Sequence, residues 1–179
     1  GALANAAGLL RGAEPFLVLN GDVLADMDLG ALSAVHRERR ADVTIGVAKV
    51  PDPGAYGLVI CGREMRIERF VEKPGPDEIT ADTINAGVYM FNPGVLKELP
   101  KGASMLEHDL FPGMVSGGRT LWGYVHYGYW MDVGTTAKLM RANRDAVEGK
   151  AGAFAAGAAA SAPSASKASL GPGTVIEPG

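Results

Sequence analysis

Apolar positions along this chain fall into short runs separated by Gly, Pro, Asn and Asp, and the spacing within each run assigns its element. Residues 2–10 are rich in Ala and Leu and suit a short helix. Residues 16–19 form an apolar run that ends at Asn20-Gly21-Asp22. Such a run suits a buried parallel strand with a turn at its carboxyl end. Asp28 precedes Leu29, Leu32 and Val35 at helical spacing, which predicts an N-cap whose carboxylate accepts a backbone N–H of the first turn. Residues 43–50 are rich in β-branched side chains and read as a second strand. Residues 58–60 and 66–71 flank a Gly-containing turn and read as a hairpin, and residues 84–91 as another strand. Ser104-Met105-Leu106-Glu107 matches a capping box, which places a helix start there. Residues 119–127 read as a strand, and Thr135 or Thr136 caps a helix that runs to Glu148 and stops at Gly149.

Strands and helices alternate in the first half, and hairpins follow. The pattern predicts an α/β domain over residues 1–150, with a Rossmann-like mixed sheet and helices on both faces. Ligands of such sheets bind at the carboxyl ends of strands, where Asp22 falls. Residues 151–168 are almost entirely Ala, Gly and Ser and read as a flexible linker. In residues 169–179, Leu170 and Ile176 each open a short Gly-punctuated turn, the step expected of the first coil of a hexapeptide β-helix. The chain opens without Met and already in helix, and it stops after one such coil, so both ends read as cut.

Composition narrows the function classes. At 47% apolar residues the chain is a folding sequence rather than a disordered one. A net charge of −3 gives no electrostatic footprint for nucleic acid. No apolar run approaches the roughly 20 residues that span a bilayer, so no membrane partner is expected. Cys61 is the only cysteine, which rules out an internal disulfide and Cys-rich metal sites and points to a reducing cytoplasm.

Four groups of residues could carry chemistry. Asp22 follows a strand end and a Gly that lets a ligand approach the backbone; the alternative is a turn carboxylate. Asp132, in Trp130-Met131-Asp132-Val133-Gly134-Thr135, sits just before a helix and has the same two readings. Together they suit magnesium, which takes one or two protein carboxylates and completes its shell with phosphate oxygens and water. Glu72 and Lys73 leave the sheet at Pro74, where a carboxylate can accept from sugar hydroxyls and an ammonium can meet a phosphate; a surface ion pair is the alternative. Asn85, Gly87 and Tyr89 alternate onto one strand face, either a polar gap for a sugar ring or a strand with a bulge at Gly87. Asp26-Met27-Asp28 has the D-x-D pattern of metal-dependent glycosyltransferases, although Asp28 reads better as a cap. Glu107 and Asp109 read as first-turn helix residues.

Leu19-Asn20-Gly21-Asp22, Tyr56-Gly57, Val71-Glu72-Lys73-Pro74, Asn85-Ala86-Gly87-Val88-Tyr89, Glu107-His108-Asp109-Leu110-Phe111-Pro112 and the Trp130–Thr135 segment stand in an order that resembles sugar-1-phosphate nucleotidyltransferases, over residues 1–148. Among these the chain looks most similar to mannose-1-phosphate guanylyltransferases, and its tail resembles members with a C-terminal left-handed β-helix. The resemblance implies an enzyme with nucleoside triphosphate and sugar 1-phosphate as substrates and Mg2+ as cofactor, a homo-oligomer being open. It implies Asp22 and Asp132 as the magnesium ligands. Glu72, Asn85, Gly87 and Gly57 would line the sugar pocket, and Lys73 would meet the sugar phosphate. The family's G-x-G-T-R-L loop and P-K-P lysine do not occur in these residues, so the isolated chain is expected to bind triphosphate poorly and to be inactive. Two other readings stand beside it: a glycosyltransferase using Asp26 and Asp28, and a regulatory subunit of a pyrophosphorylase without catalysis.

Overall fold

The computed structural model describes residues 2–10, 12, 14–100, 102 and 104–152. Nearly all of the expected linker and the whole of the expected β-helix start lie outside the described residues. Two compact units are present: one comprises the residues up to Val23 together with Met27–Tyr127, the other Leu24–Asp26 and the residues from Gly128 onward.

The first unit is built on a mixed sheet. Its strands are β1 (Phe16–Leu19), β3 (Val43–Lys49), β4 (Leu58–Cys61), β5 (Ile67–Val71), β6 (Thr83–Phe91) and β7 (Leu121–His126), and β2 (Val23–Ala25) stands apart. The order is β5-β4-β6-β3-β7, with β1 added on β6. Only β3 and β7 run parallel; β6 is antiparallel to β1, β3 and β4. The expected buried parallel strand at 16–19 is therefore corrected: β1 pairs antiparallel with β6 and is half-buried, with Leu17 and Leu19 exposed. Phe16 and Val18 alone turn inward, because one face of β1 packs on the core.

Both faces of the sheet carry a helix, as expected. Val43, Ile45 and Val47 of β3 join Tyr89, Phe91, Phe111 and Met114 in the larger core, on the face covered by α3 (Phe111–Ser116). Phe111 stacks against Phe70 with ring centres 5.2 Å apart and lies 5.7 Å from Tyr89. The alternate residues of β3 face α2 (Leu29–Glu38). Asp28 caps α2 as the sequence predicts, its Oδ1 accepting from Ala31 N at 2.8 Å. The short α1 spans Ala2–Ala6.

In the second unit β2 pairs with β8 (Trp130–Asp132), and α4 (Thr136–Val147) follows. Thr135 caps α4 through Lys138 N, and Gly149 leaves the helix at φ +77°, a left-handed turn that glycine adopts at least cost. Among the described residues no helix is long and apolar enough to cross a membrane.

Under α2, His36 is 3% exposed and its Nδ1 lies 3.0 Å from Thr44 Oγ1. Burial lowers its pKa, the Asp42 charge opposes and Arg37 adds to the lowering. The folded state therefore resists a proton that the unfolded chain accepts near pH 6.5. This contribution to stability is complete above that pH and declines as pH falls through it, by at most about 1.4 kcal/mol per unit for one proton. Denaturant titrations from pH 8 to 5 should show a shallower decline for His36→Gln than for the parent chain.

Candidate active site

The site arises where β6 changes partners on one edge. Its C-terminal half pairs with β1, through Leu19↔Val88, and its N-terminal half with β4, through Leu58↔Ile84. Between the two, Asn85 N donates to Gly57 O at 3.2 Å, and Asn20 N donates to Gly87 O at 2.8 Å. On the opposite edge, Ile45 faces Tyr89 and Val47 faces Asn85, so Gly46 alone opposes Ala86, Gly87 and Val88. The extra residues form a bulge in which Gly87 takes φ +72°. A Cβ at Gly87 would stand 2.9 Å from Asn20 Nδ2, so only glycine allows this close approach.

The gap left between the ends of β1 and β4 is a cavity of about 350 Å3, lined by Asn20, Tyr56, Gly57, Glu72, Asn85, Met105, Leu106 and Glu107. Glu72 follows β5, and its carboxylate lies over Gly57; a Cβ there would collide with Glu72 Oε2. Of the sequence-predicted residues, Gly57, Glu72 and Asn85 line this cavity, and Gly87 shapes its wall. Asp22 is exposed and lines an adjoining cavity of about 540 Å3 with Asn20, Leu19 and Leu106. Lys73 is exposed beside the site. It holds φ +49° immediately before the buried Pro74, a conformation that costs a non-glycine residue on the order of 1–2 kcal/mol.

Asp132 belongs to the second unit. Its Oδ1 accepts from Gly134 N at 3.1 Å, and its Oδ2 from Lys138 Nζ at 2.7 Å. Among the described residues no three or more His, Cys, Asp or Glu side chains gather as a metal-binding set. The Asp26-Met27-Asp28 pattern is divided: Asp28 spends a carboxylate oxygen on the α2 cap, and Asp26 belongs to the second unit. Cys61 is half-buried, and burial pushes its thiol up to about 11, so it offers no thiolate near neutral pH.

Glu107 departs from its expected role. The capping box at Ser104–Glu107 does not form. The segment enters at Met105 into a π-helical turn, Leu106–Leu110, and Asp109 serves the free backbone instead, its Oδ2 accepting from Met105 N at 2.7 Å. The wider turn aims Glu107 inward, where its Oε1 accepts from Asn85 Nδ2 at 2.7 Å and from Tyr89 Oη at 2.9 Å. Asn85 Nδ2 also donates to Tyr89 Oη at 2.8 Å, and Gly87 N donates to Asn85 Oδ1 at 3.0 Å. Burial and the neighbouring Glu107 push the Tyr89 phenol far above its usual range, so it stays a donor. Asn20, Tyr56 and Glu107 are the site residues that spacing alone did not single out. The local signal of Glu107 was that of a capping-box residue, and the Glu107–Pro112 motif alone set it apart.

Comparison with known proteins agrees with this architecture. The profile of the Nucleotidyl transferase family matches residues 1–149. Mannose-1-phosphate guanylyltransferase of Mycobacterium tuberculosis is 40% identical over 151 residues, which are 83% of this chain and 41% of that protein. Mannose-1-phosphate guanyltransferase of Schizosaccharomyces pombe is 41% identical over 128 residues, 70% of this chain and 34% of that protein. The chain thus spans well under half the length of these relatives. Among solved structures, HddC from Yersinia pseudotuberculosis superposes with a TM-score of 0.65 at 22% identity, covering 80% of this chain and 60% of that one. A putative glucose-1-phosphate thymidylyltransferase from Bacillus anthracis gives 0.67 at 23%, covering 80% and 58%. These two share the fold. By the family profile and the identities to its curated relatives, the chain belongs to the nucleotidyl transferase family.

Proposed function

We propose that the protein containing this chain transfers a nucleotidyl group from a nucleoside triphosphate to a sugar 1-phosphate and releases pyrophosphate, with GTP and mannose 1-phosphate as the pair. The observation that carries the reading is the cavity between β1 and β4, which combines a glycine floor at Gly57 with the carboxylates of Glu72 and Glu107. Such a pocket offers acceptors to the hydroxyls of a sugar ring. The two relatives named as mannose-1-phosphate enzymes support the choice of pair.

The chemistry asks little proton transfer of the protein. A phosphate monoester, with its second pKa near about 6, is largely dianionic at neutral pH. Its oxygen attacks the α-phosphorus of the triphosphate, the bond to the β-phosphate oxygen breaks, and pyrophosphate carries away the electron pair. The protein's part is to position two anions and neutralise charge. Glu72, Asn85, Gly87 and Gly57 hold the sugar, and Lys73 meets its phosphate. Asp22 and Asp132 are the proposed magnesium ligands. Both supply carboxylate oxygens, and each oxygen of Asp132 keeps acceptor capacity beyond its one hydrogen bond. With so few protein donors, a cation here would complete its shell with phosphate oxygens and water, as magnesium does. When bound, the ion supplies positive charge to the phosphate oxygens.

The full-length protein should release pyrophosphate from GTP, mannose 1-phosphate and magnesium. Consumption of a nucleotide sugar instead would favour the glycosyltransferase reading, and binding of both substrates without turnover would favour the regulatory one. Asp22→Asn and Asp132→Asn should each cost about 100-fold in turnover, on the scale of one lost charge-stabilising group, and raise the magnesium needed for half-maximal rate. If neither variant moves either quantity, the metal assignment is wrong.

Backbone strain and charge at Lys73 can be separated. Lys73→Ala and Lys73→Gly should lose activity alike, because both remove the ammonium. Thermal unfolding should nevertheless rank Lys73→Gly above Lys73→Ala by about 1 kcal/mol, since glycine tolerates the left-handed conformation.

A further inference from the structure

The hydrogen bonds around Asn85 reassign the polar work of the pocket. The Asn85 amide nitrogen donates toward both Tyr89 Oη and Glu107 Oε1. Its Oδ1 already accepts from Gly87 N. The Asn85 amide is thus tied to the protein through both its nitrogen and its oxygen. Glu107 is tied through one oxygen. Its Oε1 takes two hydrogen bonds, which fixes the carboxylate, while its Oε2 accepts none among the described residues. Among the described residues, Glu107 and Glu72 are the two charged groups lining the cavity, and no Lys or Arg lines it.

We propose that Glu107 is a direct acceptor for a sugar hydroxyl and sets substrate specificity, with Asn85 and Tyr89 as the residues that position it. This rests on the sugar 1-phosphate reading above and goes further. With two carboxylates and no basic side chain among its described lining residues, the cavity selects a neutral ring whose hydroxyls donate. It rejects a sugar bearing a ring carboxylate or a second phosphate, which would bring a third negative charge against Glu72 and Glu107. The fixed Oε1 leaves Oε2 oriented at no further entropic cost when a hydroxyl arrives.

The test uses the full-length protein, calorimetric binding of mannose 1-phosphate, turnover with GTP, and the set of monodeoxy mannose 1-phosphates. Glu107→Gln should bind mannose 1-phosphate about tenfold more weakly, the scale of one hydrogen bond to a charged acceptor, and leave the KM for GTP unchanged. One monodeoxy analogue should lose the same factor with the parent protein and show no further loss with Glu107→Gln. The 6-phosphorylated sugar 1-phosphate should bind the parent poorly and regain affinity in the variant. Tyr89→Phe, which keeps the ring and removes the hydroxyl that bonds Glu107 and Asn85, should weaken binding less than Glu107→Gln does. Unchanged sugar affinity in Glu107→Gln, or equal further losses with every deoxy analogue, overturns the assignment. A parent protein that binds mannose 1-phosphate but transfers no nucleotide overturns the activity alone, because calorimetry still reads the Glu107 contact. A parent protein that binds no sugar 1-phosphate overturns both.

Discussion

The first unit depends on a single irregularity, the bulge that lets β6 serve two strands on one edge. A regular β6 would pair with a continuous neighbour and leave no opening. Three residues of β6 instead oppose Gly46, and the strand turns its Asn85–Gly87 segment away from regular pairing. Glycines on both strands make this possible. Gly87 takes the left-handed backbone, and Gly46 leaves room for the Met27 side chain, which would clash with a Cβ there. The cavity is then an outcome of pairing geometry: β1 ends on one side of the gap, β4 begins on the other, and β5 delivers Glu72 over Gly57.

A carboxylate at the floor of such a gap carries a desolvation cost, which the structure offsets with two donors on Glu107 Oε1. The donors are themselves fixed. Asn85 is held by Gly87 N, and the Tyr89 ring is fully buried among Phe91 and Phe111. The polar network thus hangs from the hydrophobic core, and low local dielectric strengthens each bond in it.

Periodicity recovered what is local. The α2 cap at Asp28, the hairpin at 58–71 and the α4 cap at Thr135 all follow from side chains acting on backbone within a few residues, so sequence spacing reveals them. The direction of β1 was not legible, because an apolar tetrapeptide fits either orientation and the choice lies with β6, some seventy residues away. The Ser104–Glu107 capping box failed for a related reason. The helical turn starts one residue later, where Asp109 accepts from Met105 N, and Asn85 with Tyr89 offered Glu107 more than the helix end could. Of the candidate site, Glu72 and Asn85 were legible as strand-end and strand-face residues, and Gly57 only through the family resemblance. Glu107 was not, since its role exists only once β6 and the π-helical turn meet.

Tyr89 has its ring in one environment and its hydroxyl in another, and this has a consequence for how the pocket could change over generations. A repacking of Phe111 or Phe91 that tilts the Tyr89 ring slightly would move the oxygen that orients Asn85 and Glu107, with no lining residue altered. On the proposed function, sugar preference would then be partly encoded in the aromatic packing beneath the cavity. On that reading, variation confined to the visible walls of the cavity would sample only part of the selectivity open to this chain.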